Sequence, residues 1–289
     1  GYSNGATLAT DYVLAAHDDT ELPAIDGLIL MSPAFAVAPI AAIAIWQARI
    51  GNLLGIDKLA WQTVTPEFDP YKYNSFPKIA GHQSWEITRS LEKQLAKLSS
   101  AGQIRSRPPL LAFQSLADAT VLTSAVVEGL FERLSVPNSE LVLFDVNGSD
   151  GMQQFVKPSY REMLEKLEAD PNRGYTLTVI RNQSGSSAAV EAVSRVAGGA
   201  TTGRIVLDLA WPLQVYSMTH VAVPFSPQDP IYGARSLPPL ALGNVSPRGE
   251  RGVLRVPIDQ FMRLRHNPFF PYMIEQIEDF MSPLVADQR

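Results

Sequence analysis

The sequence predicts an α/β protein, a mostly parallel β-sheet flanked by helices, and three observations carry that expectation. A glycine-rich turn, Gly1-Tyr2-Ser3-Asn4-Gly5, runs straight into a segment whose apolar residues Leu8, Ala9, Tyr12, Val13 and Ala16 recur at helical spacing. Gly27-Leu28-Ile29-Leu30-Met31 then forms a continuous apolar run between Asp26 and Pro33, the pattern of a strand buried on both faces of a parallel sheet. Further strand-like runs at 109–114, 140–146 and 175–180 repeat that pattern with helical or linker segments between them.

The elements follow in chain order. The first helix is expected to stop near His17-Asp18-Asp19-Thr20, where the apolar periodicity gives way to polar residues. Residues 34–100 change character: an Ala/Ile-rich stretch, a loop carrying Trp61, Phe68, Tyr71, Tyr73 and Phe76, and a Leu/Lys/Glu-rich helix around 87–98. They are read as a cap inserted into one α/β domain spanning 1–289. After the strand at 109–114 come the loop Ser115-Leu116-Ala117-Asp118 and a helix at 122–134; the strand at 140–146 ends at Asn147-Gly148. Beyond 180 the chain reads as less regular. Pro224, Pro227, Pro230, Pro238 and Pro239 predict a loop after His220, and a closing helix is expected over 271–281.

Composition narrows the function. With 289 residues, 46% hydrophobic and 18% charged, the chain can bury a sizeable core. A net charge of -5 without a block of Lys or Arg argues against nucleic acid as a partner. The absence of Cys removes thiolate nucleophiles and the common structural zinc patterns, and leaves the compartment open with the cytoplasm slightly favoured. The histidines His17, His82, His220 and His266 are scattered with no pair at i, i+4, so a zinc hydrolase is not expected and no metal site is assigned. The apolar stretch 27–46 is interrupted by Ser32, Pro33 and Pro39 and reads as a strand followed by an apolar lid segment.

Gly1-Tyr2-Ser3-Asn4-Gly5 fits G-x-S-x-G, in which a serine nucleophile sits on a tight strand-to-helix turn. Taken alone, the pentapeptide fits an ordinary glycine-rich turn as well. Ser3 would stand at the helix N-terminus, and the Asn4 backbone N–H would supply an oxyanion donor there.

Together with residues 110–121 and Tyr216-Ser217-Met218-Thr219-His220, this turn resembles the α/β-hydrolase superfamily, especially its lysophospholipase and monoacylglycerol-lipase-like branch. The resemblance implies an α/β-hydrolase fold with an inserted cap, and a chain lacking the N-terminal part that precedes the elbow. It also implies a catalytic triad in the order Ser3, Asp118, His220. Asp118 lies just past a strand in an Asp118-x-x-Val121 context, although Ser115 stands where the family usually has Gly. Asp145, inside the strand expected at 140–146, is the rival acid. His220 follows Val146 by some seventy residues, farther than is usual, and also fits a structural histidine. His266, ahead of the closing helix, is the second candidate base; His17 and His82 read as helix-end or cap-surface residues.

The resemblance leads to a serine esterase (a carboxylic ester hydrolase or lipase) acting without cofactor through an acyl-enzyme on a small-molecule or lipid-like ester, with transient membrane-surface contact compatible with that substrate. The run 35–46 and the aromatics from Trp61 to Phe76 would line an acyl-chain pocket, or simply pack the cap. Amide or peptide hydrolysis uses the same machinery. From another class, a catalytically silent homologue would serve as a binding module.

Overall fold

A computed structural model describes residues 1–19, 21–35, 60–64, 67, 73–101, 107–118, 121–134, 136–198, 201–212, 215–234, 245–246 and 263–286. The apolar run at 36–46, Phe68, Tyr71, Pro238 and Pro239 lie outside them, as does the His17 side chain.

The glycine-rich turn leads into helix α1 (Asn4–Asp18), and the apolar run that follows is strand β1 (Leu28–Met31). A long crossover carries a short antiparallel pair, β2 (Trp61–Thr63) and β3 (Phe76–Pro77), and helix α2 (Lys78–Ala101). The chain returns to the sheet as β4 (Leu110–Ser115). Next come α3 (Thr123–Val126), a π-helical turn (Val127–Phe131) and α4 (Glu132–Leu134), then β5 (Glu140–Phe144). Helices α5 (Asp150–Gln153) and α6 (Pro158–Ala169) lead to β6 (Thr176–Asn182), β7 (Ala189–Arg195) and β8 (Thr201–Ala210). The remainder holds β9 (Ser217–Met218), a 3₁₀ turn (His220–Ala222), β10 (Val245–Ser246), β11 (Arg263–Leu264) and α7 (Phe270–Ala286).

The main sheet has the order β1-β4-β5-β6-β7-β8. Its first four strands are parallel, and β7 and β8 continue it antiparallel. The expected mostly parallel sheet flanked by helices is therefore present, but the region read as irregular beyond residue 180 contains an additional antiparallel pair. In Ala189–Arg195 a charged residue, Glu191, is buried among apolar ones and paired with Arg181 and Arg204, which breaks the hydrophobic pattern by which a strand is recognised. The strand expected at 140–146 ends at Phe144, which places Asp145 in the exit loop.

Strand alternation sorts the core into two layers. Leu28, Leu30, Leu110, Ala112, Leu141, Leu143, Leu177 and Val179 face the layer that holds α1, α2, the π-turn and α6. Leu111, Phe113, Val142, Phe144 and Ile180 face Trp211, Phe269, Tyr272 and Met273, the last three from the start of α7 and the loop before it. Both faces of the parallel strands are thus covered, as their continuous apolar runs require. Helix α2 enters the first layer through Leu91, Leu95 and Leu98, and Gln94 Nε2 donates to Asp11 Oδ1 of α1 at 3.0 Å.

Candidate active site

The site is assembled at the carboxyl ends of parallel strands, where α/β sheets place ligands. Gly1-Tyr2 runs alongside β1 in parallel. Gly1 N donates to Ile29 O (2.7 Å), Met31 N to Gly1 O (2.8 Å) and Ser3 N to Met31 O (2.9 Å). The chain then turns into α1 within one residue, and that residue is Ser3, with φ 49° and ψ -120°. Such a backbone costs a non-glycine residue about 1–3 kcal/mol and persists only where the surroundings impose it. They do: the main-chain bonds to β1 hold one side of Ser3, and its carbonyl accepts from Ala6 N, Thr7 N and, across the turn, Ala34 N.

The two flanking glycines differ. A Cβ on Gly1 would lie 2.5 Å from Gly5 O and 2.6 Å from Ala6 Cα, both main-chain atoms, so the tight turn requires glycine there. A Cβ on Gly5 would meet nothing within 4 Å among the described residues, so the second glycine of the motif answers no contact seen here. Asn4 is the first residue of α1, where an N–H has no preceding helical acceptor. The N–H groups of Gly5, Ala6 and Thr7 turn back onto Tyr2 O and Ser3 O. This arrangement leaves the Asn4 N–H as the donor beside Ser3.

Asp118 sits three residues past the end of β4, and its loop is wound on the last strand residue: Asp118 N donates to Ser115 O (3.1 Å), and Thr123 Oγ1 to the same carbonyl (3.3 Å). The Asp118 carboxylate is fully buried, and its Oδ1 accepts Val121 N–H (3.0 Å). The same oxygen lies 3.4 Å from His220 Nδ1. That separation is longer than a normal N–H···O bond, and pairs of this kind often tighten only when substrate is bound. His220 keeps 15% of its side chain open to solvent, whereas the Asp118 carboxylate keeps none.

The seventy-residue excursion before His220 is closed by two sheet exits. Asn147, after β5, donates through its main-chain N to Tyr216 O (2.8 Å) and through Nδ2 to Val215 O (3.0 Å). Ser115, at the end of β4, donates through Oγ to Met218 O (2.6 Å). Neither residue stands out as a site residue in the sequence, beyond Ser115 occupying a position where the resemblance calls for Gly.

Ser3 and Asp118 therefore leave the same end of the sheet, with β1 between their strands. At about 4.8 Å per strand, this sets the two segments about 10 Å apart, a gap that an imidazole can span. Beside Ser3 lies Tyr2, whose phenol is raised above the ordinary range by burial and raised further by the nearby negative charge of Asp118. Ser32, the residue that leaves β1 between them, also has a positive φ of 45° and is fully buried. Two of the three non-glycine residues with positive φ among those described thus lie at this sheet end.

The rival residues are placed elsewhere. Asp145 Oδ1 accepts Tyr160 Oη at 2.5 Å and Val146 N at 2.7 Å; burial raises its carboxyl, with those bonds opposing. Its partners are a tyrosine and the main chain, as for a structural acid. His266 is buried among the tail loops; desolvation lowers its imidazole while a bond to the Tyr232 main chain opposes that. His82 pairs with Glu86 at i, i+4 (3.5 Å) on α2 and lies beside Trp85.

Neither a protein-family model nor a curated protein matches this chain.

Proposed function

We propose that the protein is a serine hydrolase of carboxylic esters with an α/β-hydrolase fold, using Ser3 as nucleophile, His220 as base and acid, and Asp118 as its orienting carboxylate. The observation that carries this reading is the strained Ser3 backbone at the head of α1, on the same sheet end as the buried Asp118–His220 pair. Strain of this kind persists where an exposed hydroxyl has to be presented on a turn too tight for ordinary geometry.

The chemistry follows from those positions. Ser3 Oγ attacks the ester carbonyl carbon and passes its proton to His220 Nε2, while Asp118 holds the Nδ1 proton and stabilises the imidazolium. The carbonyl oxygen takes up the electron pair facing the Asn4 N–H and the positive end of α1. Collapse breaks the C–O bond, and His220 protonates the departing alcohol. Water, deprotonated by His220, attacks the acyl carbon; as the bond to Ser3 Oγ breaks and the acid departs, His220 returns the proton to Ser3 Oγ.

A lipid-like ester suits the surface near the β2–β3 pair. Trp61, Val64, Tyr73, Phe76 and Ile79 all stand exposed there, an apolar group fitted to an amphipathic substrate or a membrane surface. Phe35, at the start of the apolar run, is buried in the first core layer and so favours packing over pocket lining at that position.

Labelling with a fluorophosphonate probe tests the reading. The wild type and His266→Ala are expected to be labelled, whereas Ser3→Ala abolishes labelling and His220→Ala slows it about a thousandfold or more. A folded wild type that takes no probe would refute the hydrolase and favour a binding module; turnover of amides rather than esters would move the substrate class.

A further inference from the structure

The Ser115 hydroxyl occupies an unusual place. It belongs to the strand that ends at the acid, three residues before Asp118, and donates to the carbonyl two residues before His220. The bond is 2.6 Å long and wholly buried, and it joins segments 103 residues apart in sequence. The segment it holds is packed by Tyr216, Met218, Ala222 and Val223 in the core, but its strand pairing is short. β9 is two residues long and pairs with β11, itself two residues long. Asn147 holds the same segment farther back, at Val215 and Tyr216. Of these restraints, the Ser115 bond is the one that ties acid and base segments directly to each other.

The surrounding loop explains why the hydroxyl is reliable. Ser115 O is occupied by Asp118 N, Gln114 Nε2 and Thr123 Oγ1, which fixes the main chain on which Oγ is carried. Ser115 itself is fully buried, so water does not compete for the Met218 carbonyl. A glycine at this position would leave that carbonyl without this donor and let the His220 arm move relative to Asp118.

We propose that Ser115 is a positioning residue: its hydroxyl clasps the main chain ahead of His220 and thereby sets the imidazole against Asp118. The proposal rests on the hydrolase reading for its catalytic meaning, but the clasp itself can be read without turnover. The test compares wild type with Ser115→Ala, Ser115→Cys, which keeps nearly the same size with a much weaker donor, and Ser115→Thr, which keeps the hydroxyl. One readout is the His220 Nδ1 proton by NMR, assigned by its loss in His220→Ala; the other is the second-order rate of fluorophosphonate labelling.

The expected result is a solvent-protected Nδ1 proton in wild type and Ser115→Thr that disappears in the Ala and Cys variants, with labelling slowed about tenfold or more in those two. An Nδ1 proton and labelling rate unchanged in Ser115→Cys would overturn the clasp, as would the absence of a protected Nδ1 proton in wild type. Loss of the folded state in both the Ala and Cys variants would assign the bond to general stability instead, and overturn it too. A wild type that shows the Ser115-dependent proton but takes no probe would uphold the clasp and refute the hydrolase.

Discussion

The parallel strands and the antiparallel pair that extends them are held in different ways. Every residue of β4 is buried, as are the last four of β5, and their neighbours on both faces are apolar. In the extension, Val190 and Ala192 still join the second core layer, but buried charge is added beside them. Glu191 of β7 lies between Arg181 of β6 (3.5 Å) and Arg204 of β8 (3.4 Å). Glu168 of α6 reaches Arg195 (2.6 Å) and Arg181 (3.2 Å). At the outer edge, Ile205 and Val206 remain 62% and 65% exposed. Apolar packing covers both faces of the parallel strands, whereas ion pairs supplement an apolar layer where the sheet continues sideways. The difference suits the demands on each region, since close-packed apolar cores hold geometry more tightly than largely buried ion pairs, whose desolvation offsets much of their attraction.

The largest expected effect lies in the packed half. Leu143→Ala, at a fully buried position of β5, should lower unfolding free energy by about 2–5 kcal/mol in a denaturant titration. Glu168→Gln removes a charge shared by two partly buried arginines and should cost about 1–2 kcal/mol, with the loss shrinking as salt is added. If it instead matches Leu143→Ala, the ion pairs are structural equals of the core and the contrast collapses. The smallest effect is expected at the edge: Val206→Thr should change stability by less than about 0.5 kcal/mol. A larger change would show that something covers β8 in solution.

The same contrast explains what could be read from sequence. Leu28–Met31, Leu110–Ser115 and Glu140–Phe144 are legible because burial on both faces leaves unbroken apolar runs. Ala189–Arg195 and Thr201–Ala210 are not, because Glu191, Arg195 and Arg204 interrupt the pattern and find their partners on neighbouring strands or, for Arg195, on helix α6. Within the site, the serine turn and Asp118 carry local signals: a glycine whose replacement would strike main chain, and an acid just past a strand. The pairing of Asp118 with His220 and the Ser115–Met218 bond depend on contacts across about a hundred residues, and no local pattern encodes them. Asp145 lies outside β5 because the strand is two residues shorter than its apolar run suggests, and its bond to Tyr160 comes from a helix whose docking no local pattern encodes.

The Ser115–Met218 bond also bears on the order in which the molecule comes together. Closing a loop of that length yields no reward until β5, β6 and the antiparallel pair have brought the chain back, and contacts so distant in sequence are slow to form. A partly folded chain with α1, β1 and β4 in place would already present Ser3 on its turn, yet have no imidazole beside it. On the hydrolase reading proposed above, Ser3 would acquire its base last, only after the rest of the sheet is in place.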